Sequence, residues 1–163
     1  MEEFEALYNE MLPAIYRYTT ARLGTSAGED VTADVFHAAA SAVRAGNGDS
    51  ITPAWLMAVA KNKVIDQWRK TERRSRVAHL VTPRARDTFV ASAEDEASFR
   101  SSEVMATLDN LPTRYRTLLM LRYVDDLSVA ELARQTGLSE SATESALARA
   151  RKAFRTAFEG ASL

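Results

Sequence analysis

The sequence contains no cysteine, which excludes disulfides, thiolate zinc sites and thiol-based redox sensing within these 163 residues. Glycine and proline are scarce, at six and four residues, and this composition favours helices. The longest uninterrupted apolar run, residues 54–60, is far shorter than the ~20 residues that a membrane helix needs. The acidic start, MEEFEALYNE, lacks the pattern of a secretory signal. We therefore expect an all-α, cytoplasmic protein with no membrane insertion.

The charge of the chain is small in total but unevenly distributed. The formal net charge is −1. Residues 61–76 hold seven basic and two acidic side chains, a local charge of +5, against −6 for the rest of the sequence. Concentrated positive charge is typical of a nucleic-acid-binding segment, although most charged runs are simply solvated helix faces.

Helical periodicity divides the chain into two small domains. We expect the first at residues 1–76 and the second at residues 100–163, joined by a flexible linker at 77–99, where no period is sustained. Within the first domain, Pro13 predicts a kink or a restart of the first helix.

Three short motifs predict where helices begin. Ser26–Glu29 and Ser128–Glu131 have the serine-x-x-glutamate pattern of a capping box. Thr52 and Pro53 suit the N-cap and the first turn of a third helix.

Residues 128–155 have the pattern of a helix-turn-helix. A short capped helix carries the small residue Ala133, Gly137 lies at the turn, and the next helix places Leu147 and Ala150 on a buried face. The second helix of such a unit suits the major groove of DNA. The alternative is an ordinary helical hairpin.

Residues 54–76 begin apolar and end cationic without an interrupting glycine or proline, so one helix can carry both characters. Four residues at every fourth position are expected to be buried: Leu56, Ala60, Val64 and Trp68. Another face combines an amide, a carboxylate and two cations: Asn62, Asp66, Arg69 and Arg73. Cations hold a phosphate backbone, and an asparagine amide can read a base edge. Stacking of Trp68 on an unpaired base is the alternative to its burial.

The residues do not predict an enzyme. No Ser/His/Asp order, glycine-rich phosphate loop or acid–base pair stands out in the sequence. Asp34 and His37 lie three residues apart on a helix, but a metal site needs further ligands. We therefore expect no catalytic residues, no metal and no cofactor.

Taken together, these motifs resemble an extracytoplasmic-function (ECF) sigma factor of bacterial RNA polymerase. GEDVTADVFHAA is similar to the polymerase-binding helix of that family, and PAWLMAVAKNKVIDQWRKTERR to its −10 promoter-reading segment. The stretch from LPTRYRTLLMLRYVDDLSVAELARQTGLSE to its continuation SATESALARARKAFR is similar to the fourth sigma domain. The resemblance implies a transcription initiation factor that binds core RNA polymerase and directs it to promoter DNA. The alternative is a free-standing helix-turn-helix repressor or activator, which normally binds DNA as a dimer.

The resemblance also implies site residues. In the −10 segment, where Asn62 is expected to hold a flipped base, they are Lys61, Asn62, Lys63, Asp66, Arg69, Lys70, Arg73 and Arg74. In the −35-reading helix they are Ser139, Ser141, Glu144, Ser145, Arg149, Arg151 and Lys152. The residues expected to bind polymerase are Glu29, Asp30, Asp34 and His37. A monomer when free and an anti-sigma factor as partner are further expectations from the family.

One departure concerns the −35-reading helix. Many relatives carry Lys or Arg at the positions of Glu144 and Ala146, so the −35 preference of this chain cannot be copied from them. Two interpretations of Glu144 stay open. It accepts a hydrogen bond from cytosine, or it caps the start of the helix together with Ser141.

Overall fold

The computed structural model describes residues 2–77 and 96–161. Over these ranges the chain forms seven α-helices, one 3-10 turn at Gly48–Ser50 and no strand, so the predicted all-α class is confirmed. The helices are α1 (Glu2–Leu23), α2 (Thr25–Arg44), α3 (Pro53–Val77), α4 (Glu96–Asp109), α5 (Thr113–Tyr123), α6 (Val129–Thr136) and α7 (Glu140–Ala161). None of these helices is both long enough and apolar enough to cross a membrane.

The chain divides into two compact units, Met1–Trp68 and Arg69–Leu163. The predicted linker, residues 77–99, lies largely outside the described residues. The domain limits at residues 76 and 100 stay a prediction.

The core of the first unit is formed by α1, α2 and the apolar half of α3. Ile15, Val35, Leu56 and Val64 are completely buried in it. The helix α1 runs through Pro13 as one element, so the predicted restart was wrong. The proline is exposed and lies on the side of α1 away from this core.

The junction between α1 and α2 differs from the prediction. Gly24 takes the positive φ of 84° that ends α1, and its N–H donates to the Thr20 carbonyl. The helix α2 begins directly afterwards at Thr25, and no side chain caps it. The predicted capping box at Ser26 was therefore wrong, because the helix has already begun before that residue.

The start of α3 was predicted correctly. The backbone N–H of Trp55 donates to the Thr52 hydroxyl at 3.1 Å, and Pro53 is the first helical residue. A single helix of 25 residues follows. The apolar and the cationic stretch therefore share one axis.

In the second unit, helices α4 to α7 enclose a smaller core. Leu118, Leu121, Leu132 and Leu147 are at most 2% exposed. The capping box of α6 is complete, with Ser128 Oγ accepting from the Glu131 N–H and Glu131 accepting from the Ser128 N–H. This second capping box is confirmed, and it fixes the residue at which α6 begins.

Candidate nucleic-acid interface

The packing of α3 decides which of its side chains face solvent. Leu56, Ala60 and Val64 are fully buried and Trp68 is 3% exposed, so the predicted buried stripe is confirmed. Burial of Trp68 in the core also removes it as a stacking platform for a base. At 3.6 residues per turn, the stripe that contains Asn62 lies on the opposite side of the helix.

All eight predicted −10 residues reach the surface of α3. The exposed ones are Asn62, Asp66, Lys70, Arg73 and Arg74, and the half-buried ones are Lys61, Lys63 and Arg69. A half-buried lysine or arginine can cover apolar surface with its stem while its charged end stays in water. The arrangement places cations for phosphates around an amide that can donate to and accept from a base.

The second candidate surface is the helix pair α6 and α7. Gly137 has the left-handed φ of 74° that the tight turn between them requires. Ala133, which is 3% exposed, provides the small side chain that was predicted at the helix approach. The geometry fits the helix-turn-helix predicted from residues 128–155.

The start of α7 corrects one interpretation of Glu144. Ser139 is the cap, because its hydroxyl accepts from the Ala142 N–H at 3.1 Å and its carbonyl accepts from the Thr143 N–H at 2.9 Å. Ser141 lies inside the first turn, and Glu144 lies in the next turn, beyond the reach of a capping residue. The interpretation of Glu144 as a cap with Ser141 was therefore wrong.

The buried face of α7 includes Ala146. Ala146 is only 9% exposed and lies beside Leu147 and Ala150 in the core of the unit. Glu144, in contrast, faces solvent. All seven predicted −35 residues are exposed: Ser139, Ser141, Glu144, Ser145, Arg149, Arg151 and Lys152.

Thr143 shows how this helix tolerates a polar residue in its core. The side chain is 1% exposed, and its hydroxyl donates to the Ser139 carbonyl at 2.9 Å. The hydroxyl is therefore satisfied within the helix, and the methyl group supplies the apolar contact.

A third surface lies on α2, where the four predicted polymerase-binding residues are exposed: Glu29, Asp30, Asp34 and His37. Glu29 Oε1 accepts a hydrogen bond from the Tyr16 hydroxyl at 3.2 Å. This bond raises the pKa of Tyr16, because the carboxylate stabilises the protonated phenol. Both residues line a groove of about 230 Å³ between α1 and α2, whose lining also includes the apolar side chains of Leu12 and Phe36.

Within residues 2–77 and 96–161, no group of three or more His, Asp or Glu side chains has the arrangement to hold a metal ion. Asp34 and His37 are exposed on α2 without a third ligand beside them.

Two tyrosines beside these surfaces were not predicted from sequence. Tyr16 reaches Glu29 across the α1–α2 interface, and Tyr123 accepts a hydrogen bond from Arg151 Nη1 at 3.2 Å. Each bond joins residues on different helices, so the helical periodicity of the sequence does not predict it. The available signal was an aromatic residue at the end of α5, two positions before the acidic pair Asp125 and Asp126.

Comparison with protein families gave two matches. The model described as "Sigma-70 region 2" matches residues 7–74, and the model described as "Sigma-70, region 4" matches residues 101–154. Each match includes one of the two DNA-facing candidate surfaces, and the first also includes the acidic face of α2.

Curated relatives agree with these matches. The chain is 26% identical over 126 residues to the RNA polymerase sigma factor SigV of Bacillus subtilis, covering 77% of this chain and 72% of SigV. It is 24% identical over 164 residues to the ECF RNA polymerase sigma factor SigX of the same organism, covering 97% and 84%. Among solved structures, the sigma factor RpoE in complex with the anti-sigma factor NepR from Bartonella quintana has a similar fold. There the TM-score is 0.54 and the identity 19%, with 98% of both chains covered.

These matches also decide between the two interpretations of the helix-turn-helix. A free-standing repressor accounts for residues 101–154 alone, whereas the matches extend to residues 7–74. The comparisons support the initiation factor and not the repressor.

Proposed function

This chain belongs to the ECF sigma factors, which are initiation factors that direct RNA polymerase to promoters, and from that premise we propose how its surfaces divide the work. The exposed side of α3 reads the −10 element, α7 reads the −35 element, and the acidic face of α2 binds core polymerase. In this proposal residues 1–76 and 100–163 act as separate domains joined by residues 77–99.

The observation that carries the −10 assignment is the division of α3 into two opposite sides. One side is buried from Leu56 to Trp68, and the other presents Asn62 between cations. The buried side fixes the rotation of α3 about its axis. The Asn62 amide therefore faces solvent as a consequence of core packing alone. Asn62 can therefore meet a base as the duplex opens, while the neighbouring cations hold the backbone.

The acidic face of α2 supports the polymerase assignment. Glu29, Asp30 and Asp34 are exposed together there, while the positive charge of the protein is concentrated on α3. Opposite charges on two surfaces allow one protein to bind DNA and a basic protein surface without the two competing. The bond from Tyr16 orients the Glu29 carboxylate at the edge of the apolar groove.

The proposal also includes an anti-sigma partner, a monomeric free state and the absence of catalysis. An anti-sigma factor is a proposed partner, since RpoE of Bartonella quintana has been solved with NepR. Free of its partners the chain is a monomer, and it acts beside polymerase in the cytoplasm. It catalyses no reaction and needs no cofactor, because binding energy alone holds the opened DNA.

Run-off transcription with purified core polymerase tests the proposal. Addition of the chain to core polymerase and a library of promoter fragments is expected to give transcripts from a small subset, with shared −10 and −35 sequences. Core polymerase alone is the control. Equal transcription from all fragments, or specific DNA binding by the chain as a dimer without polymerase, would contradict the proposal.

A further inference from the structure

Tyr123, at the end of α5, combines high exposure with two cationic neighbours. It is 56% exposed, one of four large apolar or aromatic side chains that are exposed in the described part of the chain. Arg151 Nη1 of α7 donates to its hydroxyl at 3.2 Å, and the guanidinium of Arg122 lies 5.4 Å from its ring centroid. Cations from two helices therefore converge on one exposed phenol.

The hydrogen bond has a defined direction. A guanidinium has no acceptor, so Arg151 donates and the phenol oxygen accepts. The phenol proton is then left to be donated to another acceptor. Four of the five N–H groups of Arg151 also remain for a ligand, with the side chain held in one direction by Tyr123.

The position of this pair on α7 indicates the kind of acceptor. Arg151 lies about two turns beyond Glu144, and its bond to Tyr123 directs it toward the flank of α7 beside α5. When a helix lies in the major groove, its flanks face the phosphates on either side while its outer edge faces the bases. An oriented guanidinium and a hydroxyl proton on that flank match the oxygens of one phosphodiester.

We propose that Tyr123 and Arg151, assisted by the charge of Arg122, bind one backbone phosphate at the −35 element. This rests on the proposed reading of the −35 element by α7. Tyr123 acts in it both as a direct ligand and as the residue that positions Arg151. Asp125 and Asp126 follow Tyr123 in the loop, and their carboxylates lower the attraction of this region for a free anion.

The test uses holoenzyme, formed from the full chain and core polymerase, on a promoter duplex obtained from the run-off library. Binding is measured over a salt series for wild type, Tyr123→Phe, Arg151→Met and the double variant. Each single change is expected to weaken binding by about 3- to 10-fold, the range of one net hydrogen bond. Arg151→Met is expected to reduce the salt slope by about 0.9, the value for one phosphate contact.

The two changes are also expected to be non-additive, since Tyr123→Phe should cost less once Arg151 is absent, when only the phenol's own bond to the phosphate remains to be lost. Tyr115→Phe is the matched control. Its phenol also accepts from an arginine, Arg114 at 3.1 Å, but both residues lie on α5. That control is expected to keep wild-type affinity and salt slope.

Duplexes with single uncharged methylphosphonates then locate the contact. A methylphosphonate at one −35 position is expected to weaken DNA binding by wild type but not DNA binding by Tyr123→Phe. Wild-type affinity in Tyr123→Phe, or a loss of binding to core polymerase instead of DNA, overturns the inference.

The variant Lys152→Met distinguishes failure of this inference from failure of the proposed function. If Lys152→Met weakens −35 binding while Tyr123→Phe does not, only the phosphate site is wrong, and if neither change has an effect, α7 does not read the −35 element.

Discussion

Gly28 of α2 lies so close to Thr20 of α1 that a Cβ atom added to it would be 2.6 Å from the Thr20 Cα. The obstruction is backbone, so no side-chain rotation relieves it. The close approach continues one turn further, where the buried hydroxyls of Thr19 and Thr32 are hydrogen-bonded at 2.7 Å. The face of α2 proposed to bind polymerase is therefore fixed against α1 by a residue without a side chain.

Gly28→Ala is expected to force α1 and α2 apart and to destabilise the protein by about 1–3 kcal/mol, the usual cost of overpacking. Urea unfolding measures this directly, and binding to core polymerase should weaken with it. Gly160→Ala is the matched control, because nothing lies within 4 Å of a Cβ at that position in α7. Equal stability of the two variants would show that the interface adapts without cost.

Asp109 and Arg116 form an ion pair at 2.9 Å in the second unit, with the side chains 19% and 8% exposed. Burial raises the pKa of Asp109, and the attraction of Arg116 offsets this only in part. A carboxyl group whose pKa is raised on folding contributes stability at a pH below its ordinary pKa of about 3.9. This contribution is lost as the pH rises through the pKa of the folded state. The stability of wild type relative to Asp109→Asn should therefore fall as pH increases from about 4.

Removal of the Arg116 cation is also expected to change the stability of the protein. Arg116→Leu leaves the buried carboxylate without its partner and should destabilise the protein at pH 7 by about 3 kcal/mol, the lower end for a buried pair. Asp109→Asn with Arg116→Leu should recover part of the loss. Urea unfolding of the three variants from pH 4 to pH 7 measures both effects. Unchanged stability in Arg116→Leu would mean that solvent already screens the carboxylate.

The two serine-x-x-glutamate motifs explain what sequence can and cannot predict here. At Ser128 the motif follows a loop, so local hydrogen bonds alone decide the outcome and the capping box forms. At Ser26 the preceding Gly24 has already ended one helix and begun the next, and Glu29 accepts from Tyr16 instead. The local sequence pattern therefore predicted the helix start at Ser128, where no tertiary contact competed with it. At Ser26 contacts with α1 overrode the same pattern.

The candidate sites follow the same logic. Periodicity was sufficient to predict buried residues of α3 and α7, and a helix with a buried stripe has a fixed opposite side. The small Ala146 at the edge of the α7 stripe is buried as well, at a position where a small residue fits either side. The bond between Tyr123 and Arg151 joins residues 28 positions apart, and no rule of helical spacing reaches that far.

Asn62→Ala is expected to suppress run-off transcription without loss of core polymerase binding. A lost base contact costs about 1–3 kcal/mol, and the buried side of α3 is unaffected by a change at an exposed position. Co-purification with polymerase and transcript yield are measured side by side. Lys70→Ala is the comparison, because loss of a phosphate contact should weaken all promoters alike. Normal transcription by Asn62→Ala would remove this residue from the −10 site.

Asp34→Arg is expected to weaken binding to core polymerase, since it reverses a charge on the exposed acidic face of α2. An exposed charge at the edge of an interface acts mainly on the association rate and its salt dependence. Asp49→Arg makes the same change of charge on the 3-10 turn of the same unit and serves as control. Association kinetics at two salt concentrations measure the effect. The same rates for both variants would place the polymerase contact elsewhere.

Glu144 is an exposed carboxylate on the proposed −35-reading helix, and Ser139 already caps that helix. An exposed carboxylate near the start of α7 repels phosphates, so it should lower affinity for random DNA. It can also accept a hydrogen bond from the cytosine N4 amine in the major groove. We expect Glu144→Ala to raise non-specific affinity and to flatten the preference at one −35 base pair.

Two controls separate the charge of Glu144 from its hydrogen bond. Glu144→Gln removes the charge but keeps an acceptor oxygen, so it should raise non-specific affinity while retaining part of the cytosine preference. Glu140→Ala removes another exposed carboxylate one turn earlier and should change affinity without changing preference. Selection of −35 sequences by each holoenzyme from a randomised pool measures both quantities. If wild type and Glu144→Ala select the same bases, the carboxylate acts on DNA through its charge alone, and the −35 preference arises from the serines and cations of α7.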